Sequence, residues 1–258
     1  MPAPKLSVIT AVTILAACSP RSFGWPDGPG AEIRGYRASF AAAAGDELVE
    51  RVERPQLRRR ALAAGALWLG DHHRHARLHA LHTELLDELV RDGAPMVLCL
   101  EAVGVQDQRW VDAYLRGRIE MRELRRHLRA RWSGSWLDDP DLDPWYFRAL
   151  LAFAREHAVP VKALEPTPRL PLAQRDARIA RAVADARLEH PDRLLVVVVG
   201  QTHLLGRGDV VRRSEVGGLV VGGLPTEPLL EPGPTERARG AAWRSDQGVY
   251  WFDEMFGG

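Results

Sequence analysis

Six apolar residues follow one another in Leu194–Val199 (LLVVVV) and lead directly into Gly200-Gln201-Thr202-His203. Three further apolar segments have the same form and also pass into an acid or a histidine. They are Ala66–Leu69 before Gly70-Asp71-His72-His73, Met96–Leu100 before Glu101, and Val159–Leu164 before Glu165. Short continuous segments rich in valine and leucine, alternating with helical stretches, are typical of buried strands in a parallel sheet.

Helical periodicity separates these strands. Leu78, Leu81, Leu85 and Leu89 recur at helical spacing and predict one apolar face on a helix over His75–Val90. The alternation of strands and helices predicts an α/β fold, a three-layer α/β/α domain with a mostly parallel central sheet. Further helices are expected at Gln106–Arg116, Ile119–Arg131, Pro144–His157 and Leu172–His190, and further strands at Leu219–Val221 and Val249–Phe252.

The composition is that of an ordinary globular protein. The 258 residues carry a net charge of +1, with 46% apolar and 27% charged residues. Because the net charge is close to zero, no overall field attracts nucleic acid, and no nucleic-acid partner is expected. The length suits a single domain over residues 31–258. Cys99 lies within an apolar strand and is expected to be an inert core residue.

Residues 1–18 have the layout of an export signal, with one lysine, a short apolar stretch and small residues at its end. The sequence Leu15-Ala16-Ala17-Cys18 also resembles a bacterial lipobox, which predicts a lipid on Cys18 and anchoring in a bilayer. An ordinary secretory signal is the alternative. Ser19 favours the outer membrane if the cell has two membranes. Residues 19–30 are rich in proline and glycine and are predicted to form a tether.

The polar residues after the four strands predict a site, because ligands of open α/β sheets bind beyond the carboxyl ends of the strands. Imidazole and carboxylate groups suit zinc, iron or manganese. We expect His73, Glu101 and His203 as first ligands, with Asp71 and Glu165 either ligating or orienting a histidine. The same side chains are suited to acid–base chemistry on a metal-activated water.

Structural roles compete with this interpretation. Asp71 has the alternative of capping the following helix, and Glu165 the alternatives of a turn or an arginine partner. His75 and His82 are expected to be plain surface residues, whereas His79 is placed to face the mouth of the site.

Aromatic and basic residues suggest a further kind of ligand. Trp132, Trp136 and Trp145 are expected to pack in the core or as a lid, with a crevice for a flat hydrophobic ligand as the alternative. The arginines of residues 119–131 are expected on a solvated face or gripping anionic groups. Tyr146 is a spare iron ligand, since tyrosinate binds haem iron in some proteins.

The strand-end motifs resemble those of a known family. Over Ala66–Gly208 the chain is similar to the ChaN-like lipoproteins of the haem-binding uptake and Tiki superfamily. The matching segments are Leu69-Gly70-Asp71-His72-His73, Leu78-His79, Leu98-Cys99-Leu100-Glu101 and Val199-Gly200-Gln201-Thr202-His203. The chain departs from the family where Asp71 replaces a usual glutamate, Ala102 a frequent methionine, and Glu165 an asparagine.

The resemblance implies a membrane-anchored lipoprotein that binds haem or iron for uptake, with a homodimer formed around the ligand as a further expectation. It places His73, His79 and His203 near the iron, with Glu101 and Asp71 around them.

The wider superfamily also includes metal-dependent proteases and esterases. The alternative is therefore a metal-dependent hydrolase with His73, Glu101 and His203 as metal ligands and Glu165 as the acid–base group. A scaffold with a degenerate site is the third alternative.

Overall fold

The four apolar segments form neighbouring parallel strands, as predicted. The computed structural model describes residues 38–129, 137–138, 142–166, 170–225 and 240–256. Its strands are β1 (Leu48–Val52), β2 (Ala66–Asp71), β3 (Met96–Gly104), β4 (Val161–Glu165), β5 (Leu194–Gly200), β6 (Leu219–Val221), β7 (Ala242–Ser245) and β8 (Tyr250–Phe252). They form one sheet in the order β1-β7-β8-β6-β2-β5-β3-β4. β5 lies between β2 and β3, and all of its residues are buried.

The sheet is mostly parallel. Its central strands all pair in parallel, and only β7 runs antiparallel to its neighbours β1 and β8. Both β1 and β7 lie outside the strands predicted from the sequence. β1 contains Glu50 and Arg51 and β7 contains Arg244, so both lack the continuous apolar pattern that identified the central strands.

Helices cover both faces of the sheet. A helical stretch over residues 38–44 comes first. The helices that follow are α1 (Arg54–Ala64), α2 (Ala76–Arg91), α3 (Gln108–Leu115), α4 (Met121–Arg129), α5 (Pro144–Glu156), α6 (Leu172–Glu189), α7 (Gln201–Leu204) and α8 (Val210–Ser214). Two short 3-10 turns lie at Val105–Asp107 and Asp253–Met255.

The core is divided into two layers by the sheet. Val196 and Val198 of β5 pack on the side of α2 and α5, whereas Val197 and Val199 pack on the side of α6 and α8. This division follows from the alternation of side chains along a strand. The predicted three-layer α/β/α architecture is confirmed.

Cys99 is buried in the second layer, and burial raises the pKa of its thiol to about 12. This burial agrees with the predicted inert core residue. Trp145 differs from the prediction, because its side chain is 74% exposed rather than packed in the core. Trp132 and Trp136, the export signal, Cys18 and the tether lie outside the described residues. No helix in the described part of the chain is long and apolar enough to cross a membrane.

Candidate functional site

Three of the predicted site residues meet around Gly200, the last residue of β5. A Cβ atom placed on Gly200 would lie 3.4 Å from Cε1 of His73, 3.5 Å from Oε2 of Glu101 and 3.7 Å from Cδ2 of His203. The missing side chain therefore leaves a small space between two imidazoles and a carboxylate. The sheet brings these three groups together because β2, β3 and β5 are neighbours with the same direction.

Glu101 lies at the centre of this arrangement and is buried. Its Oε2 accepts the backbone N–H of Gly200 at 2.6 Å, and its Oε1 accepts from His203 Nε2 at 3.2 Å and from Arg175 Nη2 at 2.5 Å. Burial alone raises the pKa of Glu101. The hydrogen bond from His203 and the positive charges nearby outweigh burial, so the pKa lies below its usual value.

His203 lies between two carboxylates and is 1% exposed. Its Nδ1 donates to Oδ1 of Asp176 at 2.5 Å, while the other oxygen of Asp176 accepts the backbone N–H of Asp209 at 2.9 Å. Burial alone lowers the pKa of His203, but the hydrogen bonds to Asp176 and Glu101 outweigh it and raise the pKa to about 9. His203 is therefore held as an imidazolium ion at neutral pH.

Arg175 joins Glu101 to Glu165. The same Nη2 atom donates to Glu165 Oε2 at 2.9 Å, and all three side chains are almost fully buried. Burial raises the pKa of Glu165 and outweighs the effect of Arg175. Of the alternatives for Glu165, the structure shows the arginine partner. The acid–base role considered for this residue stays a prediction.

A second hydrogen-bonded chain starts at His73. Its Nδ1 donates to Asp71 Oδ2 at 2.5 Å, and His79 Nε2 donates to the other oxygen of Asp71 at 2.7 Å. The remaining nitrogen of His79 donates to Asp143 Oδ2 at 2.8 Å. Burial raises the pKa of Asp71, but the two histidines outweigh it and lower the pKa to about 2. The two carboxylates likewise outweigh burial for His79 and raise its pKa.

The predicted haem ligands differ in their access to solvent. The side chain of His73 is 39% exposed, whereas that of His79 is 4% exposed and that of His203 1%. Tyr146 is also buried, and its hydroxyl is hydrogen-bonded to Nδ1 of His82 at 2.8 Å. His73 is therefore the member of this set that an outside ligand reaches most directly.

Two interpretations of residues on or near α2 were wrong. His82 is fully buried rather than on the surface, and burial lowers its pKa to about 3. Asp71 does not cap α2, because the ring of His75 takes that place and accepts the backbone N–H of Leu78 at 3.2 Å. Asp71 instead uses both oxygens for His73 and His79.

Sequence reasoning missed Arg175, Asp176 and Asp143 as members of the site. Asp176 had a detectable signal, because it shares the buried face of α6 with Ile179 and Val183. A charged residue that lies on the same helix face as apolar core residues is itself buried, so it needs a buried partner. Asp143 comes at the end of a loop and precedes Pro144, a pattern that indicates only the N-cap of α5. Its contact with His79 therefore had no signal in the sequence.

The arrangement does not fit a divalent metal ion. Within the described residues, no group of three or more histidine, cysteine, aspartate or glutamate side chains has a geometry suited to one. The guanidinium of Arg175 is already hydrogen-bonded to Glu101, and Nε2 of His203 donates a hydrogen bond to the same carboxylate. A second cation here would be repelled by Arg175 and by protonated His203.

Residues 57–171 match the family model described as haem-binding uptake, Tiki superfamily, ChaN. The match covers the strand ends that carry His73, Glu101 and Glu165. It confirms the resemblance to the ChaN-like family seen in the sequence. No curated protein sequence matches the chain significantly.

The chain is similar to several solved structures at low sequence identity. The type III effector HopBA1 is 15% identical with a TM-score of 0.50, over 79% of this chain and 95% of that one. ChaN of Campylobacter jejuni, studied for its cofacial haem binding, is 11% identical with a TM-score of 0.49, over 72% of this chain and 89% of that one. A bacterial protein toxin is 18% identical with a TM-score of 0.44, over 73% of this chain. The chain spans only 38% of that toxin and 20% of the toxin of Pasteurella multocida.

Proposed function

We propose that this protein binds haem, with His73 as the residue that contacts the iron. The observation that carries the proposal is the state of the His73 ring, which is partly exposed while a buried carboxylate orients it. Histidines that bind metals commonly use one ring nitrogen for the metal and the other for a carboxylate. Since Nδ1 of His73 is held by Asp71, Nε2 is the atom that would meet the iron. The match to a haem-binding family supports the choice of ligand.

The other predicted ligands then serve as supports. His79 uses both ring nitrogens for carboxylates, and His203 does the same. Either ring would have to give up a buried ion pair before it could bind iron, which leaves an unpaired charge in the interior. We therefore assign His79 to fixing Asp71, and Asp71 to fixing His73.

A haemin titration of the full-length chain tests this proposal. We expect a saturable, shifted Soret band, and His73→Ala should weaken the binding of haemin by about tenfold or more. His72→Ala is the matched control, because His72 is the exposed neighbour in the same turn. Equal haemin binding by both variants and the wild type would rule out His73 as the ligand.

We further propose that the protein is a lipoprotein anchored through Cys18 and that it serves haem uptake. The sequence Leu15-Ala16-Ala17-Cys18 and the proline- and glycine-rich residues 19–30 support this location. Ser19 favours the outer membrane where two membranes exist. Metabolic labelling with a fatty acid should mark the wild type and not Cys18→Ala, and labelling of neither would contradict the anchor.

A homodimer around the ligand predicts that haemin doubles the mass seen by light scattering.

A second candidate is a hydrolase that works by acid–base chemistry. It is favoured by the small space at Gly200, where His73, Glu101 and the His203 imidazolium converge. His73 has the exposure of a base that takes a proton from water, and the His203 imidazolium holds Glu101 in place beside it. Hydrolysis of an aryl ester that His73→Ala abolishes and His72→Ala preserves would support this candidate. No hydrolysis above that of buffer would contradict it.

A further inference from the structure

The helix α4 carries a basic surface that the proposed function does not use. Four of its nine residues are arginines and one is a glutamate, which gives a net charge of +3. Leu124 and Leu128 are buried and pack in the same core layer as α5. Arg122, Arg126 and Arg129 recur at i, i+4 and i+7, so they share the opposite face of the helix, and all three are exposed. We call these three residues the α4 arginine face.

Two members of the α4 arginine face are available to an outside partner. Arg122 has no ion pair within the described residues. Arg126 pairs with Glu123 at 3.5 Å, and its side chain is 74% exposed. Such exposed pairs contribute little to stability, so this guanidinium is free to exchange partners. Arg129 is more engaged, because it pairs with Asp138 at 3.1 Å. A negatively charged surface therefore meets Arg122 and Arg126 first.

An exposed tryptophan borders the α4 arginine face. Asp138 joins α4 to α5, because it pairs with Arg129 of α4 and with Arg148 of α5, both at 3.1 Å. The guanidinium carbon of Arg148 lies 4.9 Å from the centre of the Trp145 ring. The indole of Trp145 is 74% exposed at the start of α5, whose buried face is made by other residues. The surface thus combines positive charge with a large apolar ring that the core does not use.

Arginine and tryptophan together suit the surface of a lipid bilayer. Guanidinium groups match the phosphate oxygens of lipid headgroups in geometry and charge. An indole is apolar with one polar N–H, and tryptophan is enriched at the depth of the headgroups for that reason. Nucleic acid also presents phosphates, but it is bound by many cations spread over a surface, and the net charge of this chain is only +1. The combination therefore favours an anionic bilayer.

The length of chain before the fold is compatible with this contact. About 20 residues separate Cys18, the proposed site of the lipid, from residue 38, where the described residues begin. A chain of this length spans at most about 70 Å when extended. A compact domain of about 220 residues has a radius of gyration of about 17 Å, so a linker of this length lets any of its faces meet the bilayer.

We propose that the α4 arginine face and the Trp145 indole dock the domain on a bilayer that contains anionic phospholipids. Arg122 and Arg126 contact headgroup phosphates, and the indole enters the interface beside them. This inference rests on the proposed anchoring through Cys18 and adds a defined orientation of the domain to that anchor. Because α6 packs on the other side of the sheet, its exposed face points away from the membrane in this orientation.

Binding to phospholipid vesicles tests the surface. The full-length chain carries Cys18→Ala in every variant, so no acyl chain contributes, and residues 1–37 are otherwise the same throughout. Vesicles of phosphatidylcholine are compared with vesicles that also contain phosphatidylglycerol. The protein with an unchanged surface should bind the anionic vesicles more tightly, and the difference should shrink at high salt because the charges are screened.

Matched pairs of arginine variants separate this surface from the net charge. Arg122→Gln with Arg126→Gln should weaken binding to anionic vesicles by more than about tenfold, since each basic residue near such a surface contributes about fivefold. Arg178→Gln with Arg181→Gln is the control, because it removes the same charge from the exposed face of α6. Arg181 resembles Arg126 closely, since its side chain is 81% exposed and pairs with one acid at 3.5 Å.

The tryptophan has its own pair of variants. Trp145→Ala should weaken binding to anionic vesicles by about tenfold, because less apolar area leaves water. Leu188→Ala should leave the binding unchanged, since it removes an 80% exposed apolar side chain from α6.

Three results would each overturn the docking proposal. They are equal binding to the two kinds of vesicle, equal effects of the α4 and α6 arginine pairs, and no effect of Trp145→Ala. None of them bears on the lipid or on haem, because fatty-acid labelling and the haemin titration measure those separately. A failure of the docking surface is therefore distinguishable from a failure of the proposed function.

Discussion

The imidazole of His79 lies flat on the phenol ring of Tyr146, with ring centres 3.9 Å apart and planes 1° from parallel. This stack joins the hydrogen-bonded chain of His73 to α5, the helix that carries Tyr146. It also turns the Tyr146 hydroxyl towards His82, inside the core. In this structure Tyr146 thus has the position of a support for His79, and the iron-ligand role considered from the sequence requires its hydroxyl to leave the core.

Tyr146→Phe separates these two roles. The variant keeps the aromatic stack and leaves Nδ1 of buried His82 without its partner, so the free energy of unfolding should fall by about 1–3 kcal/mol. Urea unfolding measures this change. The affinity for haemin should stay within about twofold of the wild type, because the Tyr146 hydroxyl does not contact the ligand. A folded Tyr146→Phe protein that no longer binds haemin would show that tyrosinate is the iron ligand after all.

Arg175 is expected to be essential for stability. Arg175→Met leaves Glu101 and Glu165 buried without their shared cation, which should cost about 3–5 kcal/mol in the free energy of unfolding. Arg122→Met removes an exposed arginine of α4 and serves as the control. Similar urea midpoints for the two variants would mean that the buried ion pairs contribute little to stability.

The ionisation of His203 predicts a loss of stability at alkaline pH. A histidine whose pKa is raised in the folded state stabilises that state fully below its unfolded value of 6.5, and the contribution is lost as the pH rises through about 9. Between these limits, the free energy of unfolding of the wild type relative to His203→Gln should fall by on the order of 3 kcal/mol. Thermal unfolding from pH 6 to 10 measures the difference. A constant difference over this range would contradict a charged His203.

Gly200→Ala distinguishes the two candidate functions. The backbone of Gly200 has φ −52°, which any residue adopts, and the new methyl group would meet its neighbours at 3.4–3.7 Å. Stability should therefore change by less than about 1 kcal/mol. The methyl group fills the space between His73, Glu101 and His203, so hydrolysis there should be lost, while haemin binding through the partly exposed ring of His73 persists. Loss of haemin binding would place the ligand at Gly200 instead.

The sequence predicted the centre of the fold and much less of its edges. Leu194–Val199 and the three similar apolar segments were recognisable because strands buried on both faces need no polar positions. The outer strand β1 and its neighbour β7 mix charged and apolar residues, as partly exposed strands do, and gave no comparable pattern. Their antiparallel pairing depends on contacts between residues about 190 positions apart, which local patterns do not encode.

The sequence also placed His73, Glu101 and His203 near one another, because parallel strands deliver their carboxyl ends to one edge. It did not reveal the partners of these residues. Arg175 and Asp176 come from the start of α6, and their contacts depend on how that helix packs against the sheet. The burial of His82 was hidden for a similar reason, since its ring is covered by Tyr146 of α5 and Phe252 of β8, which are distant in the sequence.

The hydrogen bond between Glu101 and the backbone of Gly200 has a consequence for interpreting sequences of this kind. The carboxylate completes the main-chain pairing just where β3 and β5 separate, so the architecture needs the acid whether or not a ligand binds. A descendant that had lost its ligand would still retain Glu101 to keep its sheet intact. The presence of this glutamate thus indicates an inherited scaffold, and the partly exposed His73 is the residue that indicates a working site.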